Sequence, residues 1–331
     1  MHIDLRTVSI KPLRQTFDHV ARRIGEGKAA SRYQEGTLDL QATANFHYRP
    51  TWDPAHEIFD VSRTALRMAD WYAFKDPRQF YYGTYTITRG RQQETAEANF
   101  DFVDTRGLAD MLEPELRTAA TRLLVPLRHV AWGANMNNAA ICAYAYGTAI
   151  TQPCIYHAMD QLGIAQYLTR AGLLLGDLDA LDEGRRAWLE DEAWQGLRRY
   201  VEDSFVVQDP IELYVAQNVA LDGLLYPLVY LTTVDDVFAS RGGSAVALLT
   251  SFMSEWFQET RKWVDATLKT AAGESADNKA LLEHWSTHWR DRAASALRPV
   301  ARIGLGEAAD EMLADALGQF NARLAKAGLT V

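Results

Sequence analysis

The chain has 331 residues, and its 34 basic and 43 acidic side chains give a formal net charge of −9 at pH 7. With this charge the chain lacks the electrostatic footprint of a nucleic-acid-binding protein, and binding to anionic membranes is disfavoured for the same reason. A chain of this length can bury a sizeable core in one or two domains.

Two features of the sequence favour a cytoplasmic location. The first residues lack the apolar segment and the small-residue cleavage site of a secretory signal. The two cysteines, Cys142 and Cys154, would lie about 18 Å apart along one continuous helix, which is too far for a disulfide. Because free cysteines suit a reducing compartment, we expect the protein in the cytoplasm.

Residues 1–60 differ in character from the rest of the chain, because glycines interrupt them and an aromatic stretch with two prolines lies at 46–54. Proline restricts its own backbone and that of the preceding residue, so this stretch is predicted to be extended. Its rings, Phe46, Tyr48 and Trp52, need burial against this chain or against another subunit. We interpret residues 1–60 as an extended N-terminal docking arm.

Residues 61–331 are predicted to form one all-α domain, because apolar residues recur at helical spacing and alternating strand patterns are scarce. Residues 81–88 fit either a strand or a helix, and the Asp-Pro pair shortly before them favours a helix. Further on, Pro114 is placed to start a helix and Pro126 to bend it. The result would be a long, kinked helical region.

No charged residue occurs in residues 130–159, a length that raises the question of a membrane span. Asn135, Asn137 and Asn138 would be costly in lipid, whereas a helix surrounded by other helices can hydrogen-bond them. We therefore predict a core helix over this region. The later apolar stripes also predict core helices, and the last helix is predicted to end with Gly328 as its C-cap.

Three patterns imitate functional motifs, and none is complete. The G-x-G-x-x-A sequence at residues 304–309 resembles a dinucleotide fingerprint, but no βαβ unit surrounds it, so a turn between helices is predicted. Asp235-Asp236 resembles the magnesium motif of class I terpene cyclases without its third aspartate, and a solvated loop after an apolar helix is predicted. His284 and His288 could bind zinc from one helix face, but the general base of HExxH is missing, which favours a plain helix surface.

The histidines lack the spacing that a di-iron carboxylate bundle requires. Such a bundle carries a Glu-x-x-His pair on each of two helices, because this spacing places both ligands on one face toward the metal. None of the eight histidines has a glutamate three residues before it. Only Asp53 before His56 comes near, and Pro54 between them disfavours an interior helical turn. We therefore predict no catalytic and no metal-binding residue in this chain.

Five segments closely resemble the β subunit of bacterial multicomponent phenol hydroxylases. They are ASRYQE at 30–35, FHYRPTWDP at 46–54, DPRQFYYG at 76–83, GANMNN at 133–138 and WQGLRRYVED at 194–203. These β subunits belong to the soluble di-iron monooxygenases, alongside those of toluene and methane monooxygenases. The resemblance spans nearly the whole chain. It implies a ferritin-like helical bundle related to that of the catalytic α subunit but without its di-iron centre.

The resemblance also implies where metal ligands are missing. One metal helix of the catalytic subunit carries Asp-Glu-x-x-His, and the matching residues here are Gln161 at the glutamate position and Ile164 at the histidine position. On the second such helix the match retains Glu259 but puts Lys262 at the histidine position, where an ammonium would repel iron. A register shifted by one turn, starting at Glu255, also lacks the histidine.

The resemblance implies a hydroxylase built as a dimer of αβγ protomers, in which the α subunit activates oxygen at iron and converts phenol to catechol. A separate reductase with FAD and an iron-sulfur cluster supplies electrons from NADH, and a small regulatory protein docks in a canyon formed by the α and β subunits. The present chain would be a non-catalytic scaffold without a cofactor of its own. The residues expected at the subunit interface are Phe46, Tyr48, Arg49, Trp52, Arg78, Phe80, Tyr81 and Tyr82.

Three alternatives stay open at the level of the sequence. The chain could be the β subunit of a toluene or xylene monooxygenase, because the substrate pocket would lie in another polypeptide. It could be a stand-alone helical metal-dependent enzyme, in which case the purified chain would bind iron or magnesium. It could also be a free-standing helical interaction protein, which would not co-purify with a subunit that carries two Glu-x-x-His motifs.

Overall fold

The structure is a computed structural model that describes residues 16–40, 49–51 and 53–331. These residues form helices, turns and loops and contain no strand, which confirms the predicted all-α fold. The α-helices are α1 Asp18–Ile24, α2 Arg32–Thr37, α3 Tyr82–Thr105, α4 Pro114–Leu124, α5 Leu127–Tyr144, α6 Thr148–Glu190, α7 Glu192–Ser204, α8 Pro210–Tyr214, α9 Asp222–Leu225, α10 Ser244–Glu274, α11 Ala276–Leu305 and α12 Ala309–Lys326.

One helical stretch is wider than an ordinary α-helix. The π-helical turns Val215–Leu221 and Tyr226–Phe238 continue α8 and α9, so that residues 210–238 form a single helix, which we call the π-helical segment. Short 3₁₀ turns occur at Val61–Arg63, Trp71–Ala73 and Gly306–Ala308. In the described ranges, none of the helices has both the length and the apolar character that spanning a bilayer requires.

Four long elements build the centre of the fold. The antiparallel helices α5 and α6 pack along each other, and the π-helical segment and α10 pack together and close the bundle. Side chains from α5, α6 and the π-helical segment meet around one small internal void. The remaining helices cover this bundle, with α3 against α10, α4 against α6, and α11 against α7 and the π-helical segment.

The uncharged region 130–159 forms two helices, so the prediction of one core helix there is wrong. A short turn at 145–147 separates α5 from α6, and Gly147 within it has a φ of 86°, a conformation that glycine adopts without steric cost. Most of this region is buried, as predicted, because each helix packs against the other. Cys142 and Cys154 consequently lie on different helices, and both are free thiols.

Several predicted helix ends are confirmed. Helix α3 begins at Tyr82 with Tyr81 as its N-cap, so residues 81–88 are helical rather than a strand. Pro114 occupies the first turn of α4. Gly306, with a φ of 57°, ends α11 as the predicted turn. Gly328 has a φ of 92°, and its N–H and that of Leu329 donate to the carbonyls of the last turn of α12, which is a Schellman ending.

Two predictions about polar residues have different outcomes. Asp235-Asp236 was expected in a solvated loop, but both residues lie within the π-helical segment, where Ser254 Oγ donates to Asp235 Oδ2 at 2.7 Å. Burial raises the pKa of Asp235 above its usual value. His284 and His288 are exposed on α11, as predicted for a plain helix surface.

The described part of the N-terminal arm is folded onto the helical domain. It contains α1 and α2, so the extended conformation expected for residues 1–60 is wrong there. Thr148 Oγ1 on α6 donates to the Thr37 carbonyl at 2.8 Å, and the Asp76 amide donates to the Tyr33 hydroxyl at 2.9 Å. The aromatic residues Phe46, Tyr48 and Trp52 lie outside the described residues, and the boundary at residue 60 stays a prediction.

A close helix contact depends on Gly133. A Cβ at this position would lie 2.4 Å from Val201 Cγ1 on α7, which is buried and cannot move away freely. We expect Gly133→Ala to lower the free energy of unfolding by about 1–3 kcal/mol, because overpacking forces side chains and backbone apart. The matched control is Gly163→Ala on α6, where a Cβ would meet no atom within 4 Å.

Urea unfolding followed by circular dichroism measures both variants. Because alanine is the better helix former, Gly163→Ala should be neutral or more stable by up to about 1 kcal/mol. Equal effects of the two substitutions would contradict the close contact between α5 and α7.

The partly buried imidazole of His129 on α5 should make the stability of the fold depend on pH. Burial, together with repulsion from Arg128 and Arg185, lowers the pKa of His129 from 6.5 to about 4. In the unfolded chain His129 is protonated below pH 6.5, whereas in the folded chain it stays neutral down to about pH 4. The free energy of unfolding therefore decreases as the pH falls from 6.5 to about 4. The ring also stacks on Trp188 with centroids 5.6 Å apart.

We expect His129→Phe, which preserves a stacking ring, to flatten the loss of stability between pH 6.5 and 4 relative to the natural chain. Urea midpoints measured across this range provide the check. If the urea midpoints of the natural chain and of His129→Phe changed equally with pH, His129 would not be protonated preferentially in the unfolded state.

Candidate functional site: a buried polar network in the bundle centre

The two positions predicted on α6 lie at the centre of the bundle. Gln161 and Ile164 are both buried, and Gln161 Nε2 donates to the Tyr226 hydroxyl of the π-helical segment at 3.1 Å. The void beside them measures about 10 Å³. This volume is at the lower limit of the about 10–15 Å³ that a single water needs, so side chains occupy nearly all of the space.

A second part of the centre joins α6 to the π-helical segment. His157 Nε2 and Asp222 Oδ2 are 3.0 Å apart, and Gln217 Nε2 donates to Asp222 Oδ1 at 2.9 Å. The imidazole stands edge-on to Trp256 of α10, with ring centroids 4.8 Å apart. Both carboxylate oxygens of Asp222 therefore have protein donors.

Amide side chains connect α5 to this part of the network. Asn137 Nδ2 donates to Gln217 Oε1 at 2.9 Å and to Ser204 Oγ at 2.8 Å. Asn138 and Asn218 exchange two hydrogen bonds of 2.9 Å each. These contacts explain how asparagines are accommodated in an uncharged core helix, as the sequence predicted.

The strongest electrostatic feature is the carboxylate of Asp160, which is buried and accepts four hydrogen bonds. Arg89 of α3 donates from Nε to Oδ1 and from Nη2 to Oδ2, both at 2.8 Å. The Tyr85 hydroxyl donates to Oδ1 and Trp256 Nε1 to Oδ2, again at 2.8 Å. Burial, reinforced by the charge of Asp160, raises the pKa of Tyr85, so the phenol stays neutral and acts as a donor.

Arg89 connects this site to a second carboxylate. Its Nη1 and Nη2 donate to the two oxygens of Glu259 on α10 at 3.0 Å each. Glu259 also lies 3.7 Å from Arg78, which is itself paired with Asp76 at 2.9 Å. The carboxylates of Asp160, Glu259 and Asp76 are thus balanced by guanidinium groups of the same chain.

The residues of this centre do not fit a di-iron cluster. Such a cluster takes carboxylate and imidazole ligands with free lone pairs, whereas each oxygen of Asp160 already accepts two hydrogen bonds from protein donors. Within the described part of the chain, no group of three or more His, Cys, Asp or Glu side chains is arranged to hold a metal ion. Arg89 adds a fixed positive charge beside Asp160 that would repel a cation.

The two predicted positions on α10 differ in their surroundings. Glu259 is partly buried and faces Arg89, and Lys262 is exposed. The residues of α10 that are fully buried in this region include Trp256, Thr260 and Trp263. The assignment of Glu259 and Lys262 to former ligand positions therefore stays a prediction.

The residues expected at a subunit interface are distributed between surface and core. Arg49 and Tyr82 are exposed, and Tyr81 is half-buried. Arg78 is buried in its ion pair with Asp76, and Phe80 packs against Tyr85 and Tyr156, which removes both from the surface of this chain. Phe46, Tyr48 and Trp52 lie outside the described residues. Contact of the exposed residues with a partner stays a prediction.

The fold and its centre define a class of protein. Long helices, one of them widened by π-helical turns, surround a buried polar centre, as in ferritin-like bundles. Residues 52–275 match the family model described as Methane/Phenol/Alkene Hydroxylase. The chain belongs to this hydroxylase family, which confirms the resemblance seen in the sequence.

Individual relatives agree over nearly the whole length. The chain is 49% identical to the phenol 2-monooxygenase oxygenase component DmpL of Pseudomonas sp. (strain CF600), covering 99% of this chain and 98% of that protein. It superposes on the xenon-pressurised crystal structure of phenol hydroxylase from Pseudomonas sp. OX1 with a TM-score of 0.92 and 47% identity, covering 98% of each chain. It is 26% identical over 87% of its length to a toluene-4-monooxygenase hydroxylase subunit beta of Ectopseudomonas mendocina, of which 90% is covered.

Substitution of Asp160 tests the electrostatic centre. We expect Asp160→Asn to lower the free energy of unfolding by about 3–5 kcal/mol, because breaking a buried pair leaves a guanidinium without its main counter-charge. The control is Asp310→Asn, which removes the exposed pairs with Arg298 and Arg302. The control should change stability little, because solvent screens exposed pairs.

Chemical denaturation followed by tryptophan fluorescence and circular dichroism gives both values. A loss for Asp160→Asn no greater than for the control would show that Asp160 is not the residue that holds the centre together.

Proposed function

We propose that this chain is the structural β subunit of the oxygenase component of a multicomponent monooxygenase that hydroxylates phenols to catechols. The observation that carries the proposal is the bundle centre, where Arg89, Tyr85 and Trp256 saturate the Asp160 carboxylate within a hydroxylase-family fold. Oxygen chemistry then belongs to a di-iron centre in a separate catalytic α subunit. The present chain supports that subunit and contributes no reacting group.

The relatives support both the reaction and the role. Two of them, DmpL and the corresponding MhpL of Acinetobacter pittii, are oxygenase components of phenol 2-monooxygenase and are 49% and 46% identical to this chain. The toluene-4-monooxygenase relative is a hydroxylase subunit beta, at 26% identity. The higher identity to the phenol enzymes favours phenols over toluene as the substrate of the assembly.

An exposed apolar surface supports the role of a subunit. Trp132 and Met136 on α5 and Ile155, Met159 and Leu162 on α6 are between 37% and 51% exposed. They lie on helices joined by a hydrogen bond from Asn135 to the Ala158 carbonyl, and all but Leu162 belong to the uncharged region 130–159. We call these five residues the α5–α6 face. A surface of this kind is typical of one that another chain covers.

The other partners follow from the same assignment. The oxygenase would be a dimer of αβγ protomers, with a regulatory protein that docks where α and β subunits meet. A reductase carrying FAD and an iron-sulfur cluster would supply electrons from NADH. Membership of a family of multicomponent hydroxylases supports the presence of further subunits and of a reductase.

Expression of the chain with and without its α and γ partners tests the proposal. We expect the chain alone to contain no stoichiometric iron and to form no catechol, and the complex with α and γ to do both when reductase, regulatory protein and NADH are supplied. Iron is measured by mass spectrometry and catechol by chromatography. Stoichiometric iron in the isolated chain, or product formed by it alone, would overturn the assignment.

The α5–α6 face yields a second test of the same proposal. We expect the double variant Trp132→Glu/Met136→Glu to lose assembly with α, because burying two carboxylates without partners is costly. The matched control is Met111→Glu, at an exposed apolar residue outside this face. Light scattering after size-exclusion chromatography reports assembly, and circular dichroism reports folding. A full-mass complex from the folded double variant would exclude this face as an interface.

A further inference from the structure

A groove of about 550 Å³ lies between α10, α12 and the π-helical segment. Buried rings of Phe257 and Phe320 contribute to its apolar floor, together with Pro227 and Ala316. Five basic side chains and one acidic side chain line it, although the chain as a whole carries a net charge of −9. The basic residues are Arg261, Lys262, Lys269, Arg323 and Lys326.

Little within the chain neutralises this positive charge. The one acid, Asp265, is already paired with Arg323, whose Nε donates to Asp265 Oδ1 at 2.6 Å. No carboxylate of the described residues lies within salt-bridge distance of the other four basic side chains. Both terminal nitrogens of Arg323 are buried without a protein acceptor in this part of the chain, so hydrogen-bond donors of this guanidinium stay unsatisfied.

Gly223 allows this arrangement to form. A Cβ at this position would lie 3.0 Å from Arg323 Nη1 and 3.1 Å from the ring of Phe320. The absence of a side chain therefore lets α12 approach the π-helical segment and brings Arg323 under the groove. An apolar floor with a basic rim is complementary to a segment that carries apolar side chains on one face and carboxylates on the other.

We infer that this groove holds an acidic segment of a partner protein of the oxygenase system. The inference rests on the proposed function, because it supplies the surface by which the subunit binds one of its partners. A small free anion would match the basic rim but would leave the apolar floor uncovered. The occupant is therefore a polypeptide whose aspartates and glutamates pair with Lys262, Lys269 and Lys326.

Carbodiimide cross-linking of the assembled oxygenase tests the inference, because this reagent joins a lysine amine to a carboxylate only when the two are in contact. The complex with α and γ is first verified by its mass and iron content, and the regulatory protein and reductase are then added one at a time. We expect mass spectrometry to find Lys262, Lys269 or Lys326 linked to an Asp or Glu of a partner protein. Lys28 and Lys75, exposed residues away from the groove, serve as reference positions.

Each outcome of this experiment has a defined meaning. Failure of the verified complex to form would count against the proposed function itself. If the complex forms and the groove lysines link no more than the reference lysines, the groove is a solvated surface and the inference is overturned. Links to carboxylates of a second copy of this chain would also overturn it, in favour of self-association.

A matched pair of variants supplies an independent measurement. The triple variant Lys262→Gln/Lys269→Gln/Lys326→Gln and the control Lys28→Gln/Lys75→Gln/Lys279→Gln change the net charge equally. We expect only the first to weaken binding of the cross-linked partner, by about tenfold, with a smaller dependence on salt. Equal affinities of the two variants, measured by calorimetry, would contradict a specific site.

Discussion

The ion pair between Arg89 and Asp160 is the interaction on which the centre of this bundle depends. A carboxylate buried among helices must be compensated by a cation and by hydrogen-bond donors, because its desolvation otherwise costs several kcal/mol. In a metallated bundle the metal supplies that charge. Here a guanidinium from α3 approaches at 2.8 Å, and Tyr85 and Trp256 complete the four hydrogen bonds. The fold therefore balances its buried acid with its own residues.

The π-helical segment extends this balance across the bundle. Gln217, Asn218 and Asp222 are all buried within it, and each bonds to a polar side chain of another turn or helix. The network joins α5, α6 and the π-helical segment through directional contacts, which fix the relative register of these helices more narrowly than apolar packing does. A centre held in this way suits the structural role that we propose for this chain.

The sequence predicted those features that local spacing determines. Apolar stripes, Pro114, Gly306 and Gly328 were sufficient to predict helices and several of their ends, because capping and periodicity act over a few residues. The lack of a Glu-x-x-His pair could also be recognised from the sequence, because both ligands of such a pair belong to one helical turn. The turn at 145–147 was missed because Gly147 alone marks it, without a proline or a charged residue beside it.

The ion-paired centre could not be predicted in the same way. Arg89 and Asp160 are 71 positions apart, and Asp160 and Trp256 are 96 apart, so nothing local connects them. The sequence pointed to Gln161 and Ile164 only through the resemblance, and neither position revealed which group neutralises the buried Asp160. The helices α1 and α2 were missed for a related reason, because their stability comes from contacts with α6 and with the 70–76 region.

The two surfaces proposed for partners lie on different layers of the bundle. The α5–α6 face belongs to the layer formed by α5 and α6, whereas the basic groove lies on the layer formed by α10 and the π-helical segment. One is apolar and uncharged, and the other carries unneutralised positive charge, so they suit partners of different chemistry. A large apolar interface is typical of a permanent complex, whereas a charged rim favours fast association that depends on salt concentration. Together, the two proposals allow the chain to stay bound to a catalytic subunit through the α5–α6 face and still receive an acidic partner in the basic groove.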